Sequence, residues 1–451
     1  MEIAKKVSQK NLMTEGSVFK NIFLFSIPLI LGNLLQQMYN AVDSIIVGNY
    51  VGSSGLAAVG SSTTIISLLI AFSMGASTGA GIIVSQFLGA KDKKRIQISV
   101  HTALGISIVL GIILSILGFI FTPKILILMR TPQNVINESI IYMKIYSLGL
   151  AFSVVYNMGA GILNAAGNSK QPLYYLGAAS FLNIFLDILF INFMKMGVAG
   201  AAIATNICQF VSCILVFRFL SKTDEDYKIF LKKIKIQKEM AVKIIKTGLP
   251  TGIQNTVISF SNVLVQSSVN SFGSSAMAGF GAYLKIDGFN ILPVMSFSMA
   301  ITTFTGQNYG AKKFDRVKKG IWVTIFLGLI YTITTGIIII TFSETFMKIF
   351  TSDEEVINYG VHAMKYFCPF YFLLSILQGL SGAIRGVGKT IPPMVILLIS
   401  LCLFRIVWIQ KVIPIFNTID SIYVLYPVSW AVGTFIIILY TWKGNWKNKL
   451  K

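Results

Sequence analysis

Residues 86–91, QFLGAK, return as QNYGAK at residues 307–312, a shift of 221 positions. The same shift lays Val135, Ile136 and Asn137 on Val356, Ile357 and Asn358, and Met143 and Lys144 on Met364 and Lys365. It also lays Gly161, Gly167 and Pro172 on Gly382, Gly388 and Pro393. Gap-free matches over so long a stretch mean that one unit was duplicated. Around these anchors lie the apolar runs 20–48, 56–86, 97–121, 137–162, 172–193 and 197–219, then 247–270, 276–308, 319–343, 356–383, 391–414 and 421–442. Each is long enough to cross a bilayer as a helix, which takes about 20 residues. The expected fold is an all-α membrane protein of twelve transmembrane helices in two pseudo-symmetric six-helix lobes. The N-terminal lobe covers 1–220, a charged connector 221–246 and the C-terminal lobe 247–451. Because six is even, both lobes enter the membrane from the same side, related by a two-fold axis along its normal, and a central binding cavity between them follows.

Composition agrees with this reading. Of 451 residues 54% are apolar and 12% charged, against roughly 45 to 50% and about 25% in soluble domains, which excludes a soluble globular fold. Little is left for a separate catalytic domain. The net charge of +21 falls between the apolar runs rather than on a recognition surface, so no nucleic-acid partner is expected. Lys91, Lys93, Lys94 and Arg95, the cluster from Arg218 to Lys246, and Lys312, Lys313, Arg316, Lys318 and Lys319 share the side of both termini. The opposite loops hold scattered cations such as Lys124, Arg130, Lys195, Lys348 and Lys411. The excess of cations in short cytoplasmic loops puts both termini in the cytoplasm of a multi-pass plasma-membrane protein. It also makes Lys232, Lys233 and Lys235 topology signals in contact with anionic lipid. The apolar run behind the polar N-terminus is too long for a signal-peptide core, so no cleaved segment is expected.

Several motifs are better read as structure. AIRGVGKT, residues 383–390, has the outline of a phosphate loop, but it ends a membrane helix where such a loop needs a preceding strand. Its repeat mate AGNSKQP lacks the Gly-Lys-Thr core, so a helix-to-helix turn is expected in both copies. Gly75 and Gly79, like Gly382 and Gly386, have the spacing of close helix packing. Cys208, Cys213, Cys368 and Cys402 have no metal-ligand spacing and read as small hydrophobes. With His101 and His362 the only histidines and no acidic metal cluster in the sequence, neither an enzyme nor a structural metal is expected. That argues against a membrane-embedded transferase, the alternative from another functional class.

Polar residues at membrane depth are costly and tend to line a pathway or to pair. Asn33, Gln36, Gln37, Asn40, Asp43 and Ser44 recur at helical spacing on the first span, and Asn255, Ser259, Asn262 and Gln266 draw a matching stripe on the seventh. Interhelical hydrogen bonds would account for either stripe alone; two at duplicated positions suggest the walls of a wet cavity. On the fifth span Asn183 and Asp187 lie one turn apart, and Thr205 and Asn206 follow on the sixth. Asp43, Asp187 and Thr205 all count out to the outer half of the membrane, so one cluster is possible, and two carboxylates without a fixed cation invite a proton or Na⁺. The second half carries Lys285, Asp287 and Arg405, without repeat counterparts. They read as an ion pair between Asp287 and one of the cations, or as a substrate or gating group. Lys144 and Lys365 read as snorkelling side chains at helix ends.

Taken together, IPLILGNLLQQMYNAVDSIIVGNYVGSSGLAAVG, VSQFLGAKDKK, GILNAAGNSKQP, NIFLDILF, GVAGAAIAT and TGQNYGAKK make the chain resemble the multidrug and toxic compound extrusion (MATE) transporters over essentially its whole length. The resemblance implies a V-shaped cavity between the lobes and export of cationic or amphiphilic compounds in exchange for H⁺ or Na⁺, with no cofactor beyond that ion. It also implies a cation site at Asp43, Asn183, Asp187 and Thr205, with Asn157 as a looser match. Asp287 matches the acid of the C-terminal lobe, with Lys285 as a competing charge. The expected function is a monomeric antiporter for small organic cations. The alternative within the superfamily is a flippase of lipid-linked envelope precursors, which would need several cavity cations where the helices supply mainly Lys285 and Arg405.

Overall fold

A chain this apolar must satisfy its backbone polar groups internally, because lipid offers no partners. In the computed structural model, which describes residues 12–129 and 131–444, the chain forms helices and no strand. The two chain ends, whose cytoplasmic placement the loop charges predict, lie outside the described residues. Twelve long helical segments follow one another: α1 Val18–Tyr50, α2 Ser53–Gly89, α3 Lys93–Leu128, α4 Gln133–Ala165, α5 Lys170–Phe193 and α6 Gly197–Lys222, then α7 Lys238–Asn270, α8 Ser274–Gly310, α9 Phe314–Thr341, α10 Glu354–Gly386, α11 Ile391–Phe416 and α12 Ile419–Lys443. All but α7 are both long and apolar enough to cross a membrane. In α7 the lysines of its first turns and the polar stripe from Asn255 to Gln266 dilute an otherwise spanning 33-residue helix. Exposed Ile, Leu and Phe side chains such as Ile113, Ile120, Phe185, Phe326 and Ile337 form the surface that lipid covers.

The duplication is visible in the backbone. Positive φ occurs at Gly52 and Gly273, at Lys91 and Lys312, and at Gly167 and Gly388, each pair 221 residues apart. Left-handed lysine is unfavourable, so its presence in both Gly-Ala-Lys turns marks the same loop geometry built twice. Residues 383–390 close α10 and turn at Gly388 into α11, as expected of a helix-to-helix turn.

The compact units do not follow the boundaries 1–220, 221–246 and 247–451. One unit holds Leu31–Gly252; the other holds Met13–Ile30 and the chain from Ile253 onward. The first turns of α1 therefore belong with the second half, and the first turns of α7 and the whole connector belong with the first. The reason lies in close contacts that a linear reading does not reveal. In the first unit, a Cβ on Gly79 would lie 2.5 Å from the Gly248 nitrogen, and one on Gly75 would lie 2.6 Å from Gly252 Cα, so α2 and α7 meet backbone to backbone. In the second unit the Met13 amide donates to Gln307 Oε1 (2.7 Å), and Arg316 donates to the carbonyls of Met13, Glu15 and Gly16. Pro28 and Pro250 sit beside the two crossover points, where a missing amide relaxes the helix locally.

Each unit has its own core. Val100, Leu104, Ile162, Val216 and Ile244 pack together in the first, beside a second cluster around Val47, Ala58, Leu150 and Ala201. Phe280, Phe304, Phe367, Tyr371 and Tyr423 anchor the second. Gly382 and Gly386 close α10 onto the Ser298 and Thr302 carbonyls of α8, the packing role their spacing implied.

Candidate functional site

In the first unit α1, α5 and α6 bring four of the expected residues together. Asp43 is 9% exposed, Asp187 and Asn183 are fully buried and Thr205 is buried. Asn183 and Asp187 lie one turn apart on α5, and the helix widens into a π-helical turn, Ile188–Phe193, directly after Asp187; such turns recur at functional sites. The Asp43 and Asp187 carboxyl groups are close enough to interact electrostatically. Asp43 Oδ1, both oxygens of Asp187 and both amide atoms of Asn183 are buried without a hydrogen-bond partner in the chain. No salt bridge among the described residues reaches either acid. Two adjacent buried carboxylates cannot both keep their charge without a counter-ion. The chemistry of the group suits a shared proton, or a hard cation that carboxylate, Asn carbonyl and Thr hydroxyl oxygens would hold.

Three tyrosines complete this pocket and were not singled out from the sequence. Tyr39, one turn before Asp43, brings its hydroxyl to 3.4 Å from Thr205 Oγ1. Tyr142 on α4 lies within electrostatic range of Asp43, Asp187 and Tyr39, and Tyr146, one turn further along, lies within range of Tyr39 and Tyr142. The i, i+4 spacing of Tyr39 and Asp43 was the available signal. Asn157 is not part of the group. It lies about three turns along α4 from Tyr146, with its amide facing Ser73 Oγ at 3.5 Å and its carbonyl accepting from Ser77. Asn206 also turns away, donating to the Ile145 carbonyl.

The polar stripes have different fates. On α1, Asp43 sits at the stripe's edge, about 60° around the helix from Asn40, and turns into the unit with Tyr39. Gln37 and Asn40 stay exposed, Asn33 and Gln36 half-buried, and Gln36 donates to Asn40 Oδ1. On α7, Asn262 and Ser259 are exposed, Asn255 and Gln266 half-buried.

In the second unit the ion pair expected for Asp287 does not form. Asp287 Oδ1 accepts from the Tyr283 hydroxyl at 3.0 Å and from the Tyr371 hydroxyl, inside an aromatic cluster with Phe367 and Trp430. Arg405 instead donates to Asn262 Oδ1 (3.0 Å) and Ser429 Oγ (3.2 Å), with its guanidinium 4.4 Å from the Tyr426 ring centroid. Lys285 Nζ lies 5.7 Å from the Phe350 ring centroid. The physical reason is local. Tyr283 stands one helical turn from Asp287 and satisfies it without a charge, whereas Lys285 is two residues away on another face.

A duplicated bundle of membrane-crossing helices that carries buried acids and polar stripes at membrane depth defines a multi-pass membrane protein. The MatE family model matches residues 28–189 and 250–409, one match in each half, and the chain belongs to this family of multidrug efflux transporters. It is 31% identical to the probable multidrug resistance protein YoeA of Bacillus subtilis, over 98% of both chains. It is 29% identical to the probable multidrug resistance protein NorM of Thermotoga maritima, over 86% of this chain and 84% of that one. A solved structure of a multidrug resistance MATE family transporter of the MOP superfamily, in an outward-facing conformation, superposes with a TM-score of 0.89. It covers 96% of this chain and 98% of its own at 22% identity, a likeness of fold.

Proposed function

We propose that this transporter is an antiporter that expels amphiphilic cationic compounds across the plasma membrane in exchange for H⁺ or Na⁺ flowing inward. The coupling ion binds at Asp43, Asn183, Asp187 and Thr205, with Tyr39, Tyr142 and Tyr146 around it. Substrate passes along the polar faces of α1 and α7, from Asn33 to Asn40 and from Asn255 to Gln266. The carrying observation is the set of partnerless buried oxygens on Asp43 and Asp187. A purely structural acid pair would have acquired donors, whereas a site that loads and unloads an ion must leave them free. Exchange requires the ion to favour one conformation and the drug the other. The chain works as a monomer with both termini in the cytoplasm. A flippase reading finds less support, because Arg405 is held by Asn262, Ser429 and Tyr426 and is not free for a pyrophosphate.

Purified protein in proteoliposomes, with ethidium as the cationic probe and a pH or Na⁺ gradient imposed separately, tests this reading. One gradient should drive ethidium transport above the rate in protein-free vesicles. If neither gradient does so, the antiporter reading is wrong.

A further inference from the structure

The connector between α6 and α7 is not a loose tether. Gln97 Nε2 on α3 donates to the carbonyls of Asp226 (2.6 Å) and Lys228 (3.0 Å). The Phe230 amide donates to His101 Nε2 at 3.0 Å, and the two rings stack at 6.3 Å. Thr102 Oγ1 bridges the Lys235 carbonyl and the Gln237 amide. Tyr227 and Ile229 are buried, and Ile236 Cγ1 fills the notch above Gly105. The backbone from 226 to 237 is thus fixed to the end of α3.

What this fixed backbone turns outward is unusual for a loop. Leu231 is 68% exposed, Ile236 43% and Phe230 41%, all outside the spanning helices. Between and beside them stand the exposed Lys232, Lys233, Lys235 and Lys238, and Lys233 Nζ lies 4.5 Å from the Phe230 ring centroid. The loop joins the ends of α6 and α7, so it lies at the level of the headgroups. Apolar side chains interleaved with lysines at that level match the boundary between acyl chains and anionic headgroups, where apolar groups insert and lysines reach the charge.

We propose that residues 230–238 form a built docking surface for anionic phospholipid headgroups of the adjoining leaflet. Leu231, Ile236 and Phe230 insert at the acyl boundary, and Lys232, Lys233 and Lys235 hold the headgroup phosphates. The α3 contacts pre-organise the surface, so little ordering is needed on binding. The role is independent of which compound is transported.

The full-length chain tests it with a nitroxide on Leu231→Cys in a Cys213→Ala background, the other three cysteines being buried. The probe membranes are phosphatidylcholine alone and phosphatidylcholine with phosphatidylglycerol, and the readout is label accessibility to oxygen against a water-soluble nickel chelate. Phosphatidylglycerol should shift the label toward oxygen. Raising salt to about 1 M, where the Debye length falls to roughly 3 Å, should reverse that shift. Each lysine is worth about fivefold at an anionic surface, so Lys232→Gln, Lys233→Gln and Lys235→Gln combined should weaken the lipid preference by roughly a hundredfold. A label open to the nickel chelate in both membranes would assign the patch to a soluble partner or a second copy and overturn the proposal. Equal immersion in both membranes would remove headgroup recognition and overturn it as well.

Discussion

Gly79→Ala and Gly60→Ala make the same change on the same helix, and the structure gives them opposite signs. A Cβ on Gly79 would lie 2.5 Å from both the Gly248 nitrogen and the Ile244 carbonyl oxygen. Both are backbone atoms, so no rotamer relieves the clash. Reaching ordinary contact at 3.4 Å requires α2 and α7 to separate by about 0.9 Å, the difference between those distances. Overpacking of this kind costs about 1 to 3 kcal/mol, against a helix-propensity gain of up to about 1 kcal/mol for alanine. With the full propensity gain, a net loss of up to about 2 kcal/mol follows. Gly60 on the same helix meets nothing within 4 Å, so Gly60→Ala keeps the gain and loses nothing. Thermal stability of the two purified variants, followed as the unaggregated fraction on a sizing column after heating, should place Gly79→Ala below the wild type and Gly60→Ala at or above it. Equal or reversed ranking would refute the backbone-to-backbone crossing of α2 and α7.

Other outcomes follow from the same contacts. Because Asp287 is satisfied by Tyr283 and Tyr371 and Arg405 by Asn262 and Ser429, the stability losses of Asp287→Asn and Arg405→Gln should add within about 0.5 kcal/mol. A double-mutant cycle with a larger interaction energy would restore the ion pair. Tyr39→Phe removes a hydroxyl at the edge of the acid pair, typically worth about 1 kcal/mol, and should raise the half-saturating coupling-ion concentration by roughly fivefold. An unchanged ion dependence would take Tyr39 out of the site. A cysteine at Lys233 should resist an impermeant thiol reagent added outside intact cells, and rapid labelling would invert the topology.

The large-scale architecture was legible because duplication repeats every local signal. Gly-Ala-Lys turns, glycines and Val-Ile-Asn triplets recur at one spacing, and the backbone answers with matched left-handed turns at Lys91 and Lys312. The acid pair was legible for a different reason: Asp43 and Asp187 stand in apolar runs where charge is costly. Tyr39, Tyr142 and Tyr146 carry no sequence signal because a tyrosine in an apolar helix has the pattern of core packing, and only the fold brings Tyr39 and Tyr142 within electrostatic range of the acids. Asp287 was assigned a charged partner because sequence displays charge more readily than it displays a hydroxyl from α10. The exchange of the first turns of α1 and α7 between units is tertiary throughout. It depends on which glycines face each other, and Gly248 and Gly252 acquire their meaning only opposite Gly75 and Gly79.

Ion coupling at Asp43 and Asp187 is the central element of the proposed exchange. Gradient-driven ethidium transport should be measured in proteoliposomes for the wild type, Asp43→Asn and Asp187→Asn, alongside ethidium binding to the same preparations. Each substitution keeps the side chain's shape while removing the charge that the proposed coupling ion would neutralise. Both variants should fold, bind ethidium and lose uphill transport, with at most downhill equilibration remaining. Uphill transport at the wild-type rate in both variants would contradict the coupling site and move attention to Asp287.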